Sequence, residues 1–203
     1  FQFFHMTSNW ALPTMTSNVG NAGRGVAAFL SPPPEGVVRF TVGQPDFRTP
    51  QPVVDSAVIA LESGMHGYTR SQGTESACKS VAEHLSKYGI DVDHNDVVIS
   101  PGCKQALLYA MMTCLNPGDE VILLSPAWPS YEGMLCLIGA VPVNVPVKRH
   151  NYHPDMDAIR DAITPKTKAI MVNSPNNPTG AVYLPSEIKE LTWLLYTSPS
   201  PRD

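Results

Sequence analysis

The stretch VVISPGCKQALLYAMMTCLNPGDEVILLS, residues 97–125, decides the fold. It opens with a short apolar run, residues 97–100, rich in β-branched side chains and too brief for a helix. Residues 104–115 then read as a helix without a breaker. Asn116-Pro117-Gly118-Asp119 is a turn signal with a mechanism: proline presets one φ, glycine tolerates a positive one, and Asn and Asp bond local backbone. Residues 121–125 (VILLS) form a second uniformly apolar run. Short strands that are apolar on both faces, joined by a helix of about a dozen residues, indicate a βαβ unit with a covered parallel sheet.

The same alternation continues downstream. Residues 129–138 can be helical, and residues 141–147 are β-rich but broken by Pro142 and Pro146, which suits an edge strand. Residues 155–163 read as a helix behind Pro154, residues 169–173 (AIMVN) as another buried strand, and residues 186–195 as a last helix. Upstream, residues 31–36 are a linker or turn and residues 37–42 a short strand. Thr49-Pro50 reads as a helix start, a hydroxyl cap followed by proline at the first helical position. Val53, Val54, Ala57, Val58 and Leu61 follow at helical spacing, with Gly64 past the end. A second helix spans residues 74–88, with Ala77, Val81, Leu85 and Tyr88 on one face. The expected class is α/β: three layers, a mostly parallel sheet with helices on both faces.

Composition narrows the function classes. Of 203 residues, 43% are hydrophobic, enough for a sizeable core and against wholesale disorder. A formal net charge of -4 argues against a nucleic-acid surface, which needs a clustered basic face. No apolar run approaches the roughly 18 residues of a membrane span. The four cysteines, Cys78, Cys103, Cys114 and Cys136, form no C-x-x-C, so the expectation is reduced thiols in a cytoplasmic protein and no metal site. His150 and His153 flank Asn151-Tyr152 in a loop without a partner cysteine or carboxylate cluster.

The two ends look unlike the middle. Residues 1–19 carry no charged residue and lack the basic start of a signal peptide, so they read as a non-native or disordered leader. Residues 195–203 interrupt a helical run with two Ser-Pro steps and read as an artefactual tail. Between them, residues 20–48 are expected to be an N-terminal segment and residues 49–194 a partial large domain, which makes the chain an N-terminal fragment of a longer protein.

If the strands are mostly parallel, the loops after them share one sheet edge, where such folds bind ligands. Three of these loops carry unusual chemistry. Residues 100–105 (SPGCKQ) join a strand to a helix: Gly102 permits close backbone approach, and a helix start with Lys104 nearby suits an anion. An ordinary tight turn would read the same way. Residues 125–131 (SPAWPSY) hold Trp128 between prolines just past a strand end, where its indole can stack on an aromatic ligand or cap the core. Residues 173–180 (NSPNNPTG) form a stiff loop, with Asn177-Pro178 a candidate cis peptide and side-chain amides available to a ligand oxygen. A flat aromatic phosphate ester would satisfy an anion cradle, an aromatic platform and a polar amide together.

At this point a family resemblance enters. With Gly43-Gln-Pro-Asp-Phe47, Tyr68, the loops at residues 101–106 and 125–131, the turn at residues 116–121 and Ser174-Pro-Asn-Asn-Pro-Thr-Gly180, the chain resembles a class I/II pyridoxal-phosphate-dependent aminotransferase of fold type I, aspartate aminotransferase-like. The resemblance runs from about residue 37 to residue 194. It implies pyridoxal 5′-phosphate as cofactor, with the amides of Gly102, Cys103 and Lys104 holding its phosphate, Trp128 stacking on its ring and Asn177 bonding its phenolic oxygen. It implies that Tyr68 reaches the phosphate of a neighbouring subunit, hence a homodimer, and that the Gly43 N–H meets the substrate α-carboxylate. Cys103 and Lys104 depart from the small or hydroxyl-bearing residues many relatives carry there; backbone donors survive that change.

The implied reaction moves an amino group between an amino acid and a 2-oxo acid. A C–S lyase or aminocyclopropane-carboxylate synthase would share the same cradle and platform. In the family the lysine that carries the cofactor, its acidic partner and the substrate-binding arginine lie downstream of the Asn-Pro-Thr-Gly loop. The seven lysines here (Lys79, Lys87, Lys104, Lys148, Lys166, Lys168 and Lys189) sit on helices, at loops or in the phosphate turn, and none is assigned the catalytic role. A catalytically inactive chain is therefore the alternative expectation.

Overall fold

Residues 34–38, 43 and 45–197 are described by the structure, a computed structural model. They divide into two units, Pro33–Leu107 and the chain from Leu108 onward, taken separately below. The proposed leader at residues 1–19 lies outside the described residues, as do residues 39–42 of the expected first strand and residues 198–203 of the expected tail.

In the first unit, helix α1 spans Gln51–Glu62. Its cap is Pro50, with no side-chain capping bond, rather than the expected Thr49. The Pro50 carbonyl itself accepts from Val53 N–H at 3.0 Å and Val54 N–H at 3.3 Å, so the turn closes without a hydroxyl. The helix ends as the glycine predicts. Gly64 takes φ +79°, its N–H donates to Leu61 O, and Met65 N–H donates to Ala60 O, the paired bonds that satisfy the last carbonyls. Helix α2 spans Glu75–Ser86 and is capped by Thr74, whose hydroxyl accepts from Ala77 N–H at 3.3 Å. It buries Cys78, while Tyr88 is exposed past its end.

One expected strand is absent. Residues 97–100 are extended but belong to no ladder. Val97 is buried and Val98 and Ile99 are exposed; Ile99 N–H donates to Gln72 O at 2.8 Å, and the Cys78 thiol lies 3.6 Å from the carbonyls of Gln72 and Val97. A strand requires a neighbour in register, and among the described residues none runs beside this segment. Val37 and Val38 are likewise exposed and outside any strand. Helix α3 follows over Cys103–Cys114.

The second unit carries the sheet. Strands β1 (Glu120–Ser125), β2 (Val141–Pro146) and β3 (Thr167–Met171) are parallel in the order β2-β1-β3. Helix α4 (Pro129–Leu137) connects β1 to β2, helix α5 (Met156–Ala162) connects β2 to β3, and helix α6 (Pro185–Thr197) follows. Parallel crossovers are right-handed almost without exception. A step from β1 to one neighbour, then back across β1 to the other, therefore places α4 and α5 on opposite faces.

Burial agrees with that layering. Successive β1 side chains point to opposite faces. Ile122 and Leu124 join Ile159 of α5 and Leu191 and Leu194 of α6 in one core cluster, while Val121 and Leu123 are equally buried on the other face. The prolines of β2 fit their place in the ladder. Val141 N–H donates to Asp119 O and Val147 N–H to Ser125 O, so the odd-numbered residues of β2 face β1. Pro142 and Pro146 fall on the alternate positions, where the missing N–H removes no bond to β1. The last helix continues to Thr197, three residues into the segment that the sequence suggested was a tail.

Candidate functional site

The carboxyl ends of β1 and β3 are neighbours, so the loops that leave them meet. The first leaves Ser125 through a cis Ser125-Pro126 bond and enters α4 with Trp128 as its cap and Pro129 as its first residue. Pro129 lacks the N–H that a helix start leaves unused, and its φ is already helical. Tyr131 N–H donates to Trp128 O at 3.0 Å. Trp128 is half-buried, its indole 5.3 Å from the buried Tyr131 ring at an interplanar angle of 88°, an edge-to-face contact.

The second loop, after β3, holds cis bonds at Ser174-Pro175 and Asn177-Pro178. It closes on itself: Asn176 N–H donates to Ala181 O at 2.9 Å and Gly180 N–H to Asn176 O at 2.8 Å. The Ser174 hydroxyl accepts from Tyr183 N–H at 2.9 Å, fixing where the chain turns toward α6. The two asparagines differ completely. Asn176 is buried, and its amide donates to Thr179 Oγ1 at 2.9 Å and, across to the first loop, to Pro126 O at 3.2 Å. Asn177, the residue singled out by sequence, is exposed.

Beneath these loops lies a cavity of about 10 Å³, lined by residues that include Leu123, Tyr131, Asn173, Asn176 and Tyr183. It has room for about one water, so an aromatic ligand would not fit within it. A larger open recess of about 460 Å³ runs along α6 at Lys189, Thr192, Trp193 and Tyr196. None of its residues belongs to the three loops.

Around Tyr183 a polar group is buried that sequence reading missed. The Tyr183 hydroxyl is buried without a hydrogen-bond partner, and burial first, then the charge of Glu187, pushes its phenol above the ordinary value. Glu187 meets His153 Nδ1 at 2.8 Å and accepts from Leu184 N–H at 2.7 Å. Burial pushes the Glu187 carboxyl up, but the Leu184 bond, the His153 bond and the charges of His153 and Lys148 outweigh it and leave the group below its ordinary range. The sequence signal was present in principle: Glu187 stands three residues after Leu184, the spacing at which a side chain reaches back to a helix-capping N–H. His153 is thereby accounted for, and among the described residues no group of His, Cys, Asp and Glu is arranged to hold a metal.

The third loop belongs to the first unit. Gly102 has φ +83° and open space where a Cβ would stand, and it leads into α3. Its N–H donates to Ser100 O at 2.7 Å, and the Ser100 hydroxyl donates to Gly102 O at 3.2 Å. Of the three amides that the resemblance assigns to a phosphate, that of Gly102 is thus engaged within the turn. Cys103 and Lys104, in the first turn of α3, are exposed. Tyr68 and Gly43 are also exposed. Two lysines stand three residues after a serine, Lys79 after Ser76 and Lys189 after Ser186. Lys79 is on α2, 2.6 Å from Glu75, and Lys189 is exposed on α6, beside the open recess and away from the buried Leu191 and Leu194.

Comparison with known proteins agrees with this architecture. The family model for aminotransferase class I and II matches residues 35–196. The chain is 42% identical over 152 residues to the aspartate aminotransferase of Thermotoga maritima, covering 73% of this chain and 40% of that protein. It is 43% identical over 156 residues to the aspartate/prephenate aminotransferase of Thermus thermophilus, covering 76% of this chain and 40% of that protein. A solved structure of a Thermus thermophilus aspartate aminotransferase tetra mutant superposes with a TM-score of 0.74 at 39% identity, over 78% of this chain and 44% of that one. The chain thus spans about 40% of the length of the curated relatives it matches, and its sheet and crossover helices are part of a fold type I α/β domain. With its family model matched over residues 35–196, this chain belongs to the class I and II aminotransferases.

Proposed function

We propose that the protein of which this chain is a part transfers an amino group between an amino acid and a 2-oxo acid, using pyridoxal 5′-phosphate, the cofactor of its family. The observation that carries the reading is the join between the loops after β1 and β3, Asn176 Nδ2 to Pro126 O at 3.2 Å, which holds Trp128 and Asn177 on neighbouring loops of one sheet edge. Each group of residues, taken within its own unit, suits the part of the cofactor proposed for it. At Gly102 a positive φ and open space leave the backbone approachable, where a Cβ would fill the approach. Trp128 is held on one side by Tyr131, and Asn177 is exposed with its amide directed to no loop partner among the described residues.

When bound, pyridoxal phosphate supplies the electron sink for the reaction. The chain's own residues bind and orient. First-turn amides at Cys103 and Lys104 hold the phosphate, since a helix start presents N–H groups and the positive end of its dipole. Trp128 fixes the plane of the ring, and Asn177 donates to its phenolic oxygen. The Gly43 N–H holds the substrate α-carboxylate. Tyr68, fully exposed on its own chain, reaches a second copy in a homodimer. A cytoplasmic role in amino-acid biosynthesis is part of the same reading; among the described residues, no helix is long and apolar enough to cross a membrane.

Titration of the 203-residue chain with pyridoxal phosphate, free pyridoxal and ATP tests the site. Saturable binding of pyridoxal phosphate, weaker binding of pyridoxal and none of ATP is the expected order; preference for ATP refutes it. For the longer protein, amino-acid-dependent conversion of a 2-oxo acid tests the reaction. Elimination chemistry without it would favour the C–S lyase or aminocyclopropane-carboxylate synthase alternatives. The exposed position of Lys189 and the Glu75 pairing of Lys79 favour a second reading for the 203-residue chain itself, that it binds without turning over.

A further inference from the structure

Resting on the site proposed above, we infer that Asn176, and not the ligand-facing Asn177 beside it, is the positioning residue that sets the aromatic platform against the amide loop. The amide of Asn176 has two hydrogens, and the structure uses both. One goes to Thr179 Oγ1 within its own loop, the other to Pro126 O in the loop that carries Trp128. A carbonyl can only accept, so the nitrogen must face Pro126, which fixes the orientation of the amide. The backbone of Asn176 is equally committed, its N–H to Ala181 O and its carbonyl to Gly180 N–H. At 6% exposure the residue is shielded from competing water, so the bond across the loops is not exchanged for solvent.

Pro126 has no N–H, and its carbonyl is tied to the other loop through Asn176. Two residues further on stands Trp128, the cap of α4. Loss of the amide donor leaves the Pro126 carbonyl facing a gap or a repelling oxygen, and the segment 126–128 is released from the loop that carries Asn177. Asn176 touches no ligand in this scheme. It acts through Pro126 on the tryptophan and through Thr179 on the Asn-Pro-Thr-Gly turn.

The test uses the 203-residue chain with Trp10→Phe and Trp193→Phe, so that Trp128 is the remaining tryptophan. Asn176→Asp keeps the shape and removes the donor; Asn176→Ala removes both; Asn177→Ala is the neighbour control. Acrylamide quenching of Trp128 is read without cofactor, beside far-ultraviolet circular dichroism, and pyridoxal phosphate affinity is read afterwards. The expected result is about a twofold rise in quenching for both Asn176 variants at unchanged helix content, and none for Asn177→Ala. Cofactor affinity is expected to fall about tenfold in all three, the size of one lost buried hydrogen bond. Asn176→Asp should regain part of the native quenching on acidification, when its carboxyl becomes a donor again, a recovery that a purely structural role would not show. Unchanged quenching in both folded Asn176 variants overturns the inference. So does unfolding of both, which would make Asn176 a folding residue. If the parent binds no pyridoxal phosphate, the proposed function fails, and the cofactor-free quenching still decides the role of Asn176.

Discussion

The two units handle their apolar residues in opposite ways. In the second, β1 buries Val121, Ile122, Leu123 and Leu124 to 3% exposure or less, and α4, α5 and α6 each contribute buried side chains. In the first, α1 buries none, and Val53, Val58, Ile59 and Leu61 are all exposed. What differs is the presence of a sheet: three strands in register create two apolar faces that helices must cover, whereas a lone amphipathic helix has nothing to cover. The loops proposed as the aromatic platform and the amide contact are seated on the well-packed unit, which suits groups that must be held in place.

That contrast can be broken most strongly in the core. Ile122→Ala, at a fully buried position, is expected to cost about 2–5 kcal/mol in urea unfolding, against about 0.5 kcal/mol or less for Val58→Ala on α1. Equal losses would mean that the α1 face is covered in solution. Gly73→Ala comes next. Its Cβ would stand 2.8 Å from Ile99 Cγ1 at a φ of +111°, and about 1–3 kcal/mol should be lost, read as a fall in the signal of the first unit. Tyr183→Phe should act in the opposite direction. Removing a buried hydroxyl without a partner is expected to raise the unfolding free energy by about 1 kcal/mol.

The smallest effect is electrostatic. Glu187 titrates below its ordinary value of 4.5 in the fold, so its contribution is complete above that value and fades as pH falls through the lower, folded one. The stability advantage of the parent over Glu187→Gln should therefore shrink on acidification below about pH 4.5 and stay constant near neutrality. A difference independent of pH across that window would show that the His153 contact at 2.8 Å does not depend on the charge of Glu187.

Much of the second unit was legible before the structure. The apolar run at residues 121–125, the broken run at residues 141–147 and the helices between them all appear where the periodicity put them, and Pro142 and Pro146 mark an outer strand of the three. The first unit was less legible. Residues 97–100 have the composition of a strand, yet strand formation depends on a neighbour that composition does not reveal. Thr49 has the chemistry of a cap, but Pro50 closes the turn by its carbonyl. The site divides in the same way. Loop rigidity at residues 173–180 was visible in the prolines, while the assignment of one asparagine inward and the other outward was not, since both have the same side chain.

Sequence by itself determined the alternation of strand and helix, the stiff loops after β1 and β3, and the family that their motifs mark, because turn chemistry and hydrophobic period are local properties. Tertiary structure alone decided that Asn176 bridges two loops 50 residues apart in sequence, that Tyr183 buries an unmatched hydroxyl and that α1 leaves its valines in solvent. Burial and hydrogen-bond partnership depend on which distant segments arrive at the same place, and no local pattern carries that information.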